Sequence, residues 1–140
     1  MSDTYHRVYD SIWDEHWTEP QRHLALYLLT CKHRRFEGIY KLPLAYAAHD
    51  LGWPVRKVTT NLAGLEADGF AKYDRKAEVV WVVKALKRQT PNDNQVRAAA
   101  RKIAALPSTD LLDGFLKVSR NLCPKLAEEV EKLSTEVASA

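Results

Sequence analysis

Apolar residues recur at helical spacing from Leu24 to Leu65, with one short break, and beyond Gly69 they fall at every second position. The first helix is marked by Thr18-Glu19-Pro20-Gln21, in which Thr18 caps, Gln21 completes a capping box and Pro20 sits just inside the start. Leu24, Tyr27, Leu28 and Cys31 then stand at i, i+3, i+4 and i+7, one stripe for burial. The run Lys32-His33-Arg34-Arg35 places positive charge where a helix C-terminus favours it. Upstream, Tyr5 to Val8 reads as a short strand, and Ser11 to Trp17 as an aromatic anchor, with Trp13 and Trp17 in the core.

Gly38 to Leu42 is a short β-like segment, after which Pro43 opens a second helix with Leu44, Ala47, Ala48 and Leu51 on its apolar side. Gly52 ends that helix through the left-handed turn that glycine allows, and Trp53, read as a core residue, leads to Pro54. A third helix follows, with the stripe Val55, Val58, Leu62 and Leu65, and stops at Gly69. Phe70–Tyr73 and Glu78–Val83 flank the polar stretch Asp74–Ala77 and predict a β-hairpin. On it Tyr73 and Trp81 read as core or cross-strand aromatics, with base stacking as the alternative.

This order predicts an α+β chain, mostly α: a winged helix-turn-helix with a β-hairpin wing over residues 1–90, and a C-terminal helical extension over 91–140. Gln89–Asp93 is the linker. Asn94–Leu106 carries Val96, Ala99, Ala100 and Ile103, and Ser108 or Thr109 caps a short helix with Leu111, Leu112, Phe115 and Leu116. Past Pro124, the stripe Leu126, Val130, Leu133 and Val137 predicts association into a homodimer or higher oligomer, with packing on its own chain left open.

Composition narrows the class. No apolar run approaches the ~20 residues of a membrane span, Met1-Ser2-Asp3-Thr4 has no secretory character, and Cys31 and Cys123 stand alone. A reducing cytoplasm, no disulfide and no zinc are expected. The net charge of +3 is unevenly spread: residues 1–31 total −3, residues 32–88 hold 12 basic and 6 acidic side chains for +6, and residues 89–140 are balanced. An anionic partner belongs to the middle segment.

On the third helix, the side opposite the apolar stripe carries Arg56, Lys57, Thr60, Ala63, Gly64 and Ala67, and Asn61 lies beside them. Long cations in the first turns followed by small residues suit entry into a major groove. Lys72, Arg75 and Lys76 on the wing and Arg34 and Arg35 after the first helix add phosphate contacts. Duplex DNA is therefore the expected partner, ahead of single strands. The bland alternatives are a small-residue face that admits a neighbouring helix and charged strand edges that prevent aggregation. Lys84, Lys87 and Arg88 follow the hairpin, and Lys87 and Arg88 read more simply as such an edge. His6, His16, His23, His33 and His49 lie on separate elements without metal-ligand spacing, and no glycine-rich phosphate loop is present. No catalysis and no cofactor are expected.

Leu26-Tyr27-Leu28-Leu29-Thr30, Glu37-Gly38-Ile39-Tyr40-Lys41-Leu42-Pro43 and Leu62-Ala63-Gly64-Leu65-Glu66-Ala67-Asp68-Gly69, with Lys72-Tyr73-Asp74 and Val80-Trp81-Val82, resemble the N-terminal winged-helix domain of phage and prophage replication proteins, the replisome-organiser or DnaD-like initiators. The likeness covers about residues 5–118 and rests mostly on core positions. It implies DNA binding in replication initiation, self-association and a helicase or helicase loader as partner. Family members are typically longer, with a second C-terminal domain. A transcriptional regulator on the same scaffold, and a protein-interaction module that does not bind DNA, are the alternatives.

Overall fold

The structure is a computed structural model and describes residues 8, 12, 13, 16–33, 35, 37–88 and 91–138, with the backbone alone at 88 and 135–138. Ten elements follow one another: α1 (Glu19–Thr30), β1 (Ile39–Lys41), α2 (Leu44–Leu51), α3 (Val55–Ala67), β2 (Ala71–Asp74), β3 (Val79–Val82), α4 (Ala85–Arg88), α5 (Asp93–Ala104), α6 (Leu111–Leu122) and α7 (Pro124–Ala138). The described chain is mostly helical with one small antiparallel sheet. None of its helices is long and apolar enough to cross a membrane.

Local chemistry sets the helix limits. The Thr18 hydroxyl accepts from the Gln21 amide at 3.3 Å while the Gln21 side chain accepts from the Thr18 amide at 2.9 Å, the reciprocal box expected from the sequence. Pro43 and Pro54 stand at the starts of α2 and α3, and Gly52, at φ 69°, closes α2 in the left-handed conformation. A second capping box, Asn92 with Gln95, starts α5 inside the stretch read as linker. The helix expected to be short after Thr109 runs for 12 residues as α6.

The sheet order is β1-β3-β2, so β3 is central. Ile39 pairs with Trp81 and Tyr40 with Val80 on one side, and Lys72 pairs with Trp81 and Tyr73 with Val80 on the other. All four residues of β3 are buried, because both faces of the sheet are covered. Tyr40, Ala71, Tyr73, Val80 and Val82 join α1, α2 and α3 in one core; Ile39, Val79 and Trp81 join α5, α6 and α7 in a second. Tyr73 and Trp81 are thus core residues.

Several sequence expectations are corrected. Trp13 is 65% exposed, on the guanidinium of Arg22, whereas Trp17 is buried as expected and Ile12 is buried too. Val55 is 48% exposed, because α3's first turn projects past the core and its buried face begins at Val58. Trp53 is half-buried at the edge of the first core. Leu126 and Val130 are fully buried in the second core, and Leu133 packs against it, so these residues take the alternative left open by the sequence, packing on their own chain. The Val137 side chain lies outside the described residues, as do Tyr5, His6 and Arg7; Val8 is exposed and not in a strand.

Candidate nucleic-acid interface

α2 and α3 are joined by three residues, Gly52, Trp53 and Pro54. Gly52 turns the chain, the Trp53 amide donates to the Ala48 carbonyl at 3.0 Å, and proline fixes the approach to α3. Val58, Leu62 and Leu65 bury one side of α3 against α1 and α2. The consequence is a helix whose other side is turned outward, with Arg56, Lys57, Thr60, Ala63 and Ala67 exposed. No side chain caps its first turn.

The cations there are held differently. The Lys57 ammonium lies 4.4 Å from the centre of the Trp53 ring, whose other neighbour is the His23 ring, edge to face at 5.4 Å. Trp53 therefore braces Lys57 near the start of α3. Asn61, expected at the interface, donates its side-chain amide to the Lys57 carbonyl at 2.8 Å; it is half-buried and engaged along its own helix. Gly64 leaves the outward set as well. A Cβ there would collide with the Gln21 side chain at the start of α1, so the missing side chain makes room for a neighbouring helix's residue, in line with the bland alternative of the sequence reading.

Arg75 and Lys76 are exposed at the hairpin turn. That turn is fixed by Asp74, whose carboxylate accepts from the amides of Lys76 at 3.0 Å and Ala77 at 3.1 Å and from the Thr109 hydroxyl at 2.7 Å. Thr109, at the entry to α6, also accepts from the Leu111 amide at 3.2 Å. One carboxylate thus ties the hairpin tip to the second layer, and the Thr109 hydroxyl foremost, then these amides, holds its pKa below the usual carboxylate range. Lys72 is exposed on β2 with its ammonium 5.5 Å from the Trp81 ring, on the sheet face that the C-terminal helices cover. Arg56, Lys57, Lys72, Arg75 and Lys76 form no ion pair among the described residues.

The basic run after α1 is anchored rather than loose. The His33 ring stacks on Tyr46, with centres 5.5 Å apart, and its Nε2 stands 3.7 Å from the Asp50 carboxylate. Asp50 accepts from the Tyr27 hydroxyl at 2.7 Å. That hydrogen bond holds the Asp50 carboxyl below its ordinary range, and burial, reinforced by Asp50, pushes the Tyr27 phenol up. Lys32 and Arg35 are exposed, and Arg34 lies outside the described residues. The Tyr27–Asp50–His33–Tyr46 cluster joins α1 to α2 across 23 residues; only Tyr27's place on the apolar stripe was visible in the sequence.

The structure thus brings Arg56, Lys57 and Thr60 together on one helix face and places Arg75 and Lys76 on a hairpin that shares α3's core. Comparison with protein-family profiles, with characterised proteins and with solved structures finds no significant match.

Proposed function

We propose that this chain binds duplex DNA through a winged helix-turn-helix, with α3 in the major groove and the hairpin turn on the flanking backbone. The observation that carries this reading is the outward face of α3. Arg56, Lys57 and Thr60 are exposed and free of ion pairs among the described residues, Ala63 beyond them keeps the helix slim, and the opposite face is locked by Val58, Leu62 and Leu65. Such a face reaches phosphates with its cations while its small residues allow close approach to base edges. The uncapped first turn adds amide donors and the positive end of the helix dipole. The sheet order β1-β3-β2, with the β2–β3 hairpin following α3 directly, is the arrangement such a wing needs.

Arg75 and Lys76 serve as backbone contacts, held in place by the Asp74 turn. Replication initiation, with a helicase or its loader as a further partner, is the setting we propose, on the strength of the resemblance at residues 26–30, 37–43 and 62–69. The test is titration of duplex DNA at several salt concentrations. Arg56→Ala with Lys57→Ala is expected to weaken binding at least about tenfold and to flatten the log–log salt slope by about 1–2. Unchanged affinity in that variant, or no duplex binding by the wild-type chain at low salt, contradicts the reading.

A further inference from the structure

Outside that interface, α5 presents a cationic surface of its own. Residues 94–109 contain Arg97, Arg101 and Lys102 and no Asp or Glu. At about 100° per residue, Asn94, Arg97, Ala98, Arg101, Lys102 and Ala105 share one side of the helix and its end, and all six are exposed. Val96, Ala99, Ala100 and Ile103 take the other side and are buried. The outward side therefore repeats the chemistry of α3's outward side: long cations separated by alanine, with no large apolar residue.

Helix stability alone does not account for it. Arg101 and Lys102 suit the negative end of the helix dipole, but Arg97 is mid-helix and repels Arg101 one turn away. The one carboxylate on α5, Asp93, is paired with Lys125 at 3.1 Å, and on α6 and α7 Arg120 is paired with Glu131. Arg97, Arg101 and Lys102 are in no ion pair among the described residues. A helix that docks into a protein groove lays an apolar face into it, and the outward side of α5 has no large apolar residue to present. A polyanion with its charge on the outside needs only what the face offers.

We propose that the Arg97–Arg101–Lys102 face of α5 is a second phosphate-binding surface, taking the backbone of double-stranded nucleic acid without reading its sequence. It rests on the nucleic-acid reading above, yet uses none of the residues on which that reading stands. α5 belongs to the layer across the sheet from α3, so the two faces engage separate stretches of duplex and contribute separately to the salt dependence.

The experiment is fluorescence anisotropy of a labelled mixed-sequence duplex titrated with the full chain across a range of salt. Three proteins are compared: wild type, Arg56→Ala/Lys57→Ala, and Arg97→Gln/Arg101→Gln/Lys102→Gln. Glutamine keeps helix propensity, so the circular dichroism spectrum is expected to stay the same. The glutamine variant is expected to bind at least about tenfold more weakly, with a log–log salt slope lower by about 2–3. Wild-type affinity and slope in that variant overturn the α5 surface and leave the α3 reading intact. Loss in the glutamine variant together with full binding by Arg56→Ala/Lys57→Ala does the reverse. No binding by the wild-type chain at low salt overturns both. A glutamine variant that binds normally but changes its mass by light scattering assigns the face to an acidic protein surface and also overturns the proposal.

Discussion

The two layers on either side of the sheet solve packing differently. In the α1–α3 layer, buried hydroxyls tie elements to one another's backbone: Tyr40 donates to the Leu28 carbonyl at 2.7 Å and Tyr73 to the Leu42 carbonyl at 2.8 Å, while the Trp17 ring N–H donates to Asp68 at 2.9 Å. The interior of the α5–α7 layer is apolar, with the Trp81 and Phe115 rings edge to face, their centres 6.2 Å apart, and Ala99, Ala100 and Ala127 buried among the helices; its interhelical pairs Lys125–Asp93 and Arg120–Glu131 lie at the surface. Hydrogen bonds have direction, and apolar burial does not. In the layer that carries α3, directional bonds therefore hold α1 to β1 and the end of α3 to the segment before α1, which suits a helix presented to a groove. The apolar layer backs the sheet and anchors the hairpin tip through Thr109.

The largest effect is expected where the apolar layer meets the sheet. Phe115→Ala removes a fully buried ring and is expected to cost about 3–5 kcal/mol in urea unfolding. Because β3 is buried by both layers, the loss is expected in a single transition. Two separate transitions would show that the layers unfold independently.

Next in size is Gly38→Ala. At φ 86° a side chain is strained by about 1–2 kcal/mol, and the new Cβ would lie 2.5 Å from that of Ala85, which adds overpacking of about 1–3 kcal/mol. Gly52→Ala, at φ 69° with nothing within 4 Å, carries the backbone strain alone. Equal losses in thermal unfolding would refute the packing of β1's entry against α4. Tyr40→Phe leaves the Leu28 carbonyl without its buried donor and is expected to cost about 1–3 kcal/mol. A neutral result would remove the directional distinction between the layers.

The smallest effect concerns pH. Asp74 has a lowered folded-state pKa, so it contributes stability above the ordinary carboxylate value of about 4 and loses it as pH falls through the lowered value. Thr109→Val is expected to shrink this acid-side loss, and an unchanged acid limb in the melting temperature would show that the Asp74–Thr109 tie contributes nothing. At the alkaline end the sign reverses. Burial pushes the Tyr73 phenol up to about 12, so stability present below the ordinary value of about 10 declines as pH rises toward 12. Tyr73→Phe is expected to shrink that decline in the melting temperature and leave the part due to Tyr27, whose phenol is also pushed up.

Much of the local structure was legible because its causes are local. The Thr18–Gln21 box, the proline starts of α2 and α3, the Gly52 stop and the change of period after Gly69 each act within a few residues. What escaped depends on distance. Asp74 and Thr109 are 35 positions apart, and Trp17 and Asp68 are 51 apart, so no spacing announces either pair. Periodicity also says which side of a helix is apolar but not what covers it. Thus α7's stripe left open whether another copy or its own chain covers it, and α5 and α6 do so at Leu126 and Val130, while Val55 continued the apolar stripe of α3 one turn beyond the core that buries it. At the candidate interface Arg56, Lys57 and Thr60 were legible as an outward set, whereas the inward roles of Asn61 and Gly64 required the helix's own carbonyl and Gln21 to be in place.

The most direct test of the central claim is an amide chemical-shift map of the full chain titrated with duplex DNA. The largest shifts are expected at Arg56, Lys57 and Thr60 on α3 and at Arg75 and Lys76 on the hairpin turn, with the buried residues Leu24, Ala25, Leu28 and Leu29 of α1 unmoved. Shifts confined to other surfaces, with α3 unmoved at saturation, would contradict the assignment of α3 as the DNA-facing helix.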